Sequence, residues 1–315
     1  MTDIPDLTII IVNWNVKELL QNCLKSVYAQ TKGTSFEIFV VDNASSDGSV
    51  ETVEKEFPQV RLIKNRENVG FAKANNQAIR ESKGRYLMLL NPDTIVVGDA
   101  LDTMVLFMDK HRDTGAVGPR ILNPDKTVQL TCGRYSPTLL TELWDFTKLS
   151  SVFPESRIFG KSLMGFWPHN DTREVELLSG ACMMVRKETI EQTGLMDEHF
   201  FLFAEETDWC YRIRKNGWKI YLNADAEIVH LSQQSVKRSS INTALESCKS
   251  MYRFFMKHHG RLSALSYRAM VFISIGLRIP VYWLWQYVRP SNRLRIQRAL
   301  KQYPRILRWS VGLSG

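Results

Sequence analysis

The apolar residues of the chain fall into short blocks whose period switches repeatedly. LTIIIV opens a continuous apolar run rich in Ile, bounded by polar residues, which predicts a strand buried on both faces at Leu7–Asn13. Residues 16–30 place Leu19, Leu20, Leu24 and Val27 on one helical face. FEIFVV at 36–41 is a second strand, 49–57 a helix, VRLIK at 60–64 a third strand and 71–82 a helix. RYLMLL at 85–90 is a fourth strand and 100–110 another helix. Four strand–helix alternations with short connectors predict an α/β architecture, a mostly parallel sheet flanked by helices. Ligands of such sheets bind beyond the carboxyl ends of the strands. The polar clusters Asn13-Trp14-Asn15, Asp42-Asn43 and Asn91-Pro92-Asp93 all stand at those ends.

From about residue 115 the rhythm changes. Residues 130–175 are rich in aromatic, Ser and Pro residues without periodicity and are expected to form a long excursion. Order returns with VELLSGACMMVR at 175–186 and a helix at 205–216, followed by strands at 218–222 and 226–230. Residues 242–259 carry Leu245, Cys248, Met251, Tyr252 and Phe255 along one helical face.

Composition changes the picture mainly through charge. With 315 residues and 44% apolar content the chain can bury a sizeable core, and disorder is excluded. Five cysteines without CxxC spacing suggest neither a zinc site nor a disulfide scaffold and fit a reducing compartment. The six residues at the start carry no basic group and LTIIIV is short for a signal core, so no signal peptide is expected. The net +8 hides a split: residues 247–315 hold 13 Lys plus Arg and no acid. The other 28 cations, set against all 33 acids, leave residues 1–246 at −5. Such a basic segment suits an anionic surface, nucleic acid or membrane.

Several clusters carry candidate chemistry, each with a plainer alternative. Asp93, at a strand end beside Pro92, is placed to ligate Mg²⁺ or Mn²⁺, hard ions that bridge to diphosphate oxygens; it would serve equally as a turn or helix cap. Asp42 and Asn43 could bond a base or ribose, or shape an ordinary turn. The run 68–76 lacks the spacing of a dinucleotide fingerprint or P-loop, yet its Gly70 turn and helix start can face a phosphate. Glu205, Glu206 and Asp208 crowd three carboxylates into four residues, which suits a general base with a raised pKa or simple helix N-terminal charge. His230 ends a strand and reads as a metal ligand, a phosphate contact or a structural histidine.

In chain order, IIIVNWN (9–15), VVDNASSDGS (40–49), NVGFAKANNQAI (68–79), LLNPDT (89–94), LLSGACMMVRKE (177–188) and FLFAEETDWCYRIRKNGW (201–218) resemble the family 2 inverting glycosyltransferases of GT-A fold, in their rhamnosyltransferase-like group. The resemblance covers about residues 7–238. It implies a donor site at Val12, Asn13, Trp14, Asp42, Asn43, Gly70, Asn76, Asn91, Asp93, Ser179 and Gly180, with Asp42 recognising the base. It implies Mg²⁺ or Mn²⁺ on the diphosphate at Asp93, with His230 nearby. Glu206 matches the family's base, with Asp208 and Glu205 as rivals. Two positions depart from the pattern: Asn91 replaces one carboxylate of the DxD motif, and Glu206 stands where the family has Asp. The implied reaction moves a sugar, rhamnose foremost, from a dTDP- or UDP-sugar to a lipid-linked glycan acceptor. The contrasting possibility is an inactive module that binds nucleotide sugar or scaffolds a membrane complex.

The tail completes the expectation of a catalytic domain at 1–240 and a helical basic region at 241–315. Residues 269–288 have the length of a membrane span, but Arg278 lies at the middle and Pro280 is expected to break the helix. The Arg- and Lys-rich 293–308, with Leu294, Ile296, Leu300, Ile306 and Leu307 between the cations, reads as an amphipathic helix on an anionic membrane. Peripheral or re-entrant attachment at the cytoplasmic face is favoured over one span or a soluble tail that pairs copies into a homo-oligomer. No nucleic-acid motif accompanies the charge, so nucleic acid is not expected as a partner.

Overall fold

The computed structural model of the chain describes residues 4–231, 243–288 and 293–313. The boundary expected at 240/241 lies outside the described residues, as do the side chains of Tyr287, Arg293, Leu294, Arg295 and Arg298. The first half follows the predicted alternation: β1 (Leu7–Asn13), α1 (Lys17–Gln30), β2 (Phe36–Asp42), α2 (Ser49–Glu56), β3 (Arg61–Lys64), α3 (Phe71–Glu81) and β4 (Tyr86–Leu90). Then come β5 (Thr94–Val97), α4 (Ala100–Lys110) and β6 (Thr114–Leu122). The excursion holds β7 (Gly133–Arg134), α5 (Leu139–Phe146), α6 (Leu149–Val152) and β8 (Arg173–Glu174). It leads to β9 (Leu177–Leu178), β10 (Cys182–Arg186), α7 (Lys187–Thr193), α8 (Glu205–Lys215) and β11 (Lys219–His230). Two helices follow, α9 (Thr243–Val288) and α10 (Arg293–Ser310).

The main sheet runs β3-β2-β1-β4-β10-β6-β11-β5, with β8 on β11. β1, β2, β3 and β4 pair in parallel, as do β6 and β11, but β10 runs antiparallel to both neighbours and β5 antiparallel to β11. The sheet is therefore mixed rather than mostly parallel. Period cannot tell an inserted antiparallel strand from a parallel one, because both are continuous apolar runs when buried on two faces. Leu7, Ile9, Ile10 and Ile11 are fully buried, which is why β1 shows no polar alternation. Lys219–His230 is one strand interrupted by a register shift between Asn223 and Glu227, where two strands were expected at 218–222 and 226–230. The 130–175 segment is more ordered than its composition suggests. Trp167 and Met164 join the main core, and Thr138 and Thr141 cap α5 reciprocally.

The C-terminal helices build a second apolar core from Phe254, Phe255, Tyr267, Val271, Ile275, Tyr303 and Ile306, joined by Phe200 and Ala204 from the approach to α8. Two expectations change here. The helix continues through Pro280 and breaks instead at Gly260, whose φ of 82° lies in the left-handed region. And the apolar face of α10 is packed inward on α9, with Ile296 and Ile306 buried, so it is not the surface left for a membrane. The exposed apolar residues lie instead on α9, at Ile273, Leu277, Val281, Trp283, Leu284 and Trp285. Arg278 does not float in this stretch: its Nη2 donates to the Phe146 carbonyl at 2.6 Å.

Candidate active site

The parallel register sets Asn13 beside Asp42 at the ends of β1 and β2. Asn13 Nδ2 donates to Asp42 Oδ1 at 2.8 Å and to Ser45 Oγ at 3.1 Å, while the Ser45 N–H donates to Asp42 Oδ2 at 2.8 Å. Asp42 is thus buried and held in one orientation. Asn13 Oδ1 is buried with no partner, an acceptor that a ligand N–H would satisfy. Asn15 takes a left-handed φ of 54°, and its Oδ1 accepts from the Ser46 N–H at 2.8 Å, closing the loop around Trp14. Asn43 is buried next to this group, with Asn65 Nδ2 donating to its Oδ1 at 2.9 Å. Val12 and Trp14 are half-buried at the same rim.

Asn91-Pro92-Asp93-Thr94 is a tight turn, with the Thr94 N–H donating to the Asn91 carbonyl at 3.2 Å. β11 brings His230 to it, Nε2 lying 3.2 Å from Asp93 Oδ1. The amide nitrogen of Gln129 donates to Asn123 Oδ1 and to the His230 carbonyl, so its Oε1 must accept from His230 Nδ1, 3.1 Å away. Nδ1 therefore carries a proton, and Nε2 faces Asp93, with Asn91 Nδ2 at 3.4 Å. An imidazole held through its far N–H beside a carboxylate is the donor set of a divalent cation. Asp93 and His230 fit such an ion. Among the described residues no group of three or more His, Cys, Asp or Glu converges on a metal position, so substrate oxygens and water would complete the shell.

The three clustered carboxylates are placed in three different environments by α8. Glu205 is buried, its Oε2 has no partner, and burial followed by the charge of Glu206 pushes its carboxyl well above the usual range. Asp208 is fully buried and its carboxylate is spent: Arg212 Nε lies 2.8 Å away, and Lys257 Nζ and His258 Nε2 each 2.7 Å. Those partners outweigh desolvation and hold its pKa below the usual range. Glu206 lies at the rim, its side chain 14% exposed, with Arg134 Nη2 3.4 Å from Oε1. A Cβ on Gly180 would lie 3.7 Å from Glu206 Cβ and 3.8 Å from Phe71, so Ser179-Gly180 borders this carboxylate without crowding it. The Asn91 N–H donates to the Ala181 carbonyl at 2.9 Å, linking the Ser179–Ala181 segment to the Asp93 turn.

Three sequence candidates have a different job from the one expected. Asn76 is buried and tied at both ends, Nδ2 donating to the Met196 carbonyl and Glu198 while Oδ1 accepts from the Met196 N–H. It clamps α3 to the loop before α8 and presents nothing to a donor. Gly70 is a packing glycine: an added Cβ would meet the Phe201 carbonyl at 2.7 Å, and the Gly70 and Phe71 N–H groups are taken by Asn68 and Phe201. Asp208 is an ion-pair anchor rather than a base. Arg134 and Gln129 escaped the sequence because they lie in or beside the aperiodic segment, where spacing carries no signal; only the fold brings them to Glu206 and His230.

The Asn13–Asp42 corner, the Asp93–His230 turn and the Glu206 carboxylate are carried by a mixed sheet flanked by helices, an architecture of GT-A type. Residues 8–194 match the family described as glycosyl transferase family 2, and the chain belongs to that family. It is 26% identical to the N-acetylglucosaminyl-diphospho-decaprenol L-rhamnosyltransferase of Mycobacterium tuberculosis, covering 96% of this chain and 98% of the relative. It is also 26% identical to the dTDP-rhamnosyl transferase RfbF of Shigella flexneri, over 84% of each chain. A mannosyltransferase of Pyrobaculum calidifontis, solved in complex with GDP-Man and Mn²⁺, shares the fold at a TM-score of 0.57 and 16% identity, over 98% of this chain and 88% of that one.

Proposed function

We propose that the protein transfers rhamnose from dTDP-rhamnose to a hydroxyl of a lipid-linked glycan at the cytoplasmic face of a membrane, as a step in polysaccharide synthesis. The observation that carries the assignment of roles is the sorting of three clustered carboxylates: Glu205 buried with its pKa raised, Asp208 ion-paired, and Glu206 at the rim. The names of the rhamnosyltransferase relatives support the sugar, and the diphospho-decaprenol acceptor of one supports the lipid.

In this scheme Asp42 and the orphan Oδ1 of Asn13 hold the base of the donor. Asp93 and His230 hold Mg²⁺ or Mn²⁺, which when bound neutralises charge on the diphosphate leaving group. Glu206 takes the proton of the acceptor hydroxyl as that oxygen attacks C1. The new C1–O bond forms as the C1–O bond to the diphosphate breaks, on the opposite face, so the anomeric centre inverts and the electron pair leaves with the nucleotide. Arg134, whose Nη2 lies 3.4 Å from Oε1, orients Glu206 for that step. The exposed apolar face of α9, among the basic residues of the tail, supports attachment at a membrane surface.

Glu206→Gln is expected to lose about 10²- to 10⁴-fold in transfer rate while nucleotide binding persists. Asp93→Ala is expected to lose the Mn²⁺-dependent part of the thermal shift given by dTDP. Wild-type transfer by both variants would overturn the roles given to these residues.

A further inference from the structure

A separate cavity of about 420 Å³ opens between the first half of α9, the end of α10 and the segment leading into α8. Its wall combines the cationic or titratable His199, Lys249 and Arg253 with the rings of Phe201, Tyr252 and Trp309. Glu246 is the single acid among the lining residues, and it sits 3.0 Å from Lys249. Arg253 commits one N–H to the His199 carbonyl at 2.7 Å and is otherwise exposed at the mouth.

The far side of this wall has the opposite character. Arg268 lies over both Tyr252 and Trp309, 5.6 and 5.3 Å from the ring centres, and its Nε donates to the Trp309 carbonyl at 3.1 Å. Beyond that ridge lies a shallower depression of about 340 Å³ lined by Leu265, Ala269, Phe272 and Val311 together with Arg268 and Ser310. Leu265, Phe272 and Val311 are all exposed. Cations with aromatic rings, then a ridge, then an apolar gutter form the complement of an amphiphile. Its head would carry a diphosphate and a sugar, and its tail hydrocarbon. Guanidinium and ammonium groups match diphosphate oxygens, and ring faces match the C–H faces of a sugar.

We propose that this cavity holds the sugar-diphosphate head of the lipid-linked acceptor, with the first part of its hydrocarbon chain in the gutter; the proposal rests on the acceptor class given above. The wall shares a chain segment with the candidate site. The Phe201 carbonyl accepts from the Phe71 N–H at 3.1 Å, Ser250 Oγ donates to the Leu202 carbonyl at 2.9 Å, and the same strand of chain reaches Glu206 four residues after Leu202. An acceptor anchored here is presented beside the segment that carries the base.

The test uses the full chain and phosphatidylcholine vesicles doped with a polyprenyl diphosphate, against vesicles brought to the same surface charge with phosphatidylglycerol. Wild type is expected to prefer the diphosphate lipid. The double variant Lys249→Ala/Arg253→Ala is expected to bind it about tenfold more weakly, one charge-assisted contact's worth, while phosphatidylglycerol binding, dTDP binding and the thermal midpoint stay at wild-type values. In transfer assays its KM for the lipid acceptor should rise by the same factor with kcat and donor KM kept. Glu246→Gln should shift acceptor affinity the other way. Equal binding of the diphosphate lipid by wild type and double variant, or a parallel loss on both vesicle types, overturns the cavity assignment. Glu206→Gln separates the two claims, since it should lose transfer yet keep the diphosphate-lipid preference.

Discussion

Asp208 and Glu205 stand three residues apart on α8 and have opposite relations to pH. Asp208 is held ionised by Arg212, Lys257 and His258, so its folded pKa is below the unfolded value near about 3.9. Its contribution to stability is complete above that value and is lost as pH falls through the folded one. Asp208→Asn should cost about 3 kcal/mol at neutral pH and flatten the acid limb of a urea-denaturation series, since a buried pair is broken. Glu205 is the reverse: burial raises its folded pKa, so its contribution is complete below about pH 4.3 and is lost as pH rises towards the folded value. Glu205→Gln should therefore unfold less readily than wild type at alkaline pH while retaining transfer activity. Loss of activity in Glu205→Gln equal to that of Glu206→Gln would move the base to Glu205.

At the level of elements, the approach to α8 sets where Glu206 points. Phe203 and Ala204 both have positive φ, 69° and 62°, immediately before the helix. Each left-handed residue other than glycine costs about 1–2 kcal/mol, and the second core holds this pair in place through Phe200 and Ala204. Gly70 completes the approach from α3, where its left-handed φ of 86° and the Phe201 carbonyl leave no room for a Cβ. Gly70→Ala should cost about 2 kcal/mol or more by thermal denaturation, and should lower kcat by displacing the loop that leads to Glu206.

Across the whole molecule, the C-terminal helices are joined to the loop before α8 and to α8 itself by ion pairs as well as by the second core. Lys257 bridges Asp197 and Asp208, both at 2.7 Å, and Lys257 and His258 stand just before the break at Gly260. Truncating the tail before Val271 would remove Val271, Ile275 and Ile306 from the second core, so it would unfold more than it released. The exposed pair Leu277→Glu and Leu284→Glu tests the proposed membrane surface without touching that core. This variant should keep its thermal midpoint and lose co-sedimentation with anionic vesicles; retained binding would place the contact elsewhere on the tail.

The sequence by itself determined the N-terminal alternation, the strand-end positions of Asn13, Asp42 and Asp93, and the charge split. These depend on local period and composition, which survive in one dimension. Tertiary structure alone decided the antiparallel insertion of β10, because buried strands of either direction share one pattern. It also decided the surroundings of the three carboxylates: Glu205 buried, Glu206 at the rim beside Arg134, and Asp208 ion-paired. That outcome depends on burial and on Arg134, Lys257 and His258, which stand far away in the chain. Finally, it turned the apolar face of α10 inward: helical spacing shows that a face exists, and only packing shows what covers it.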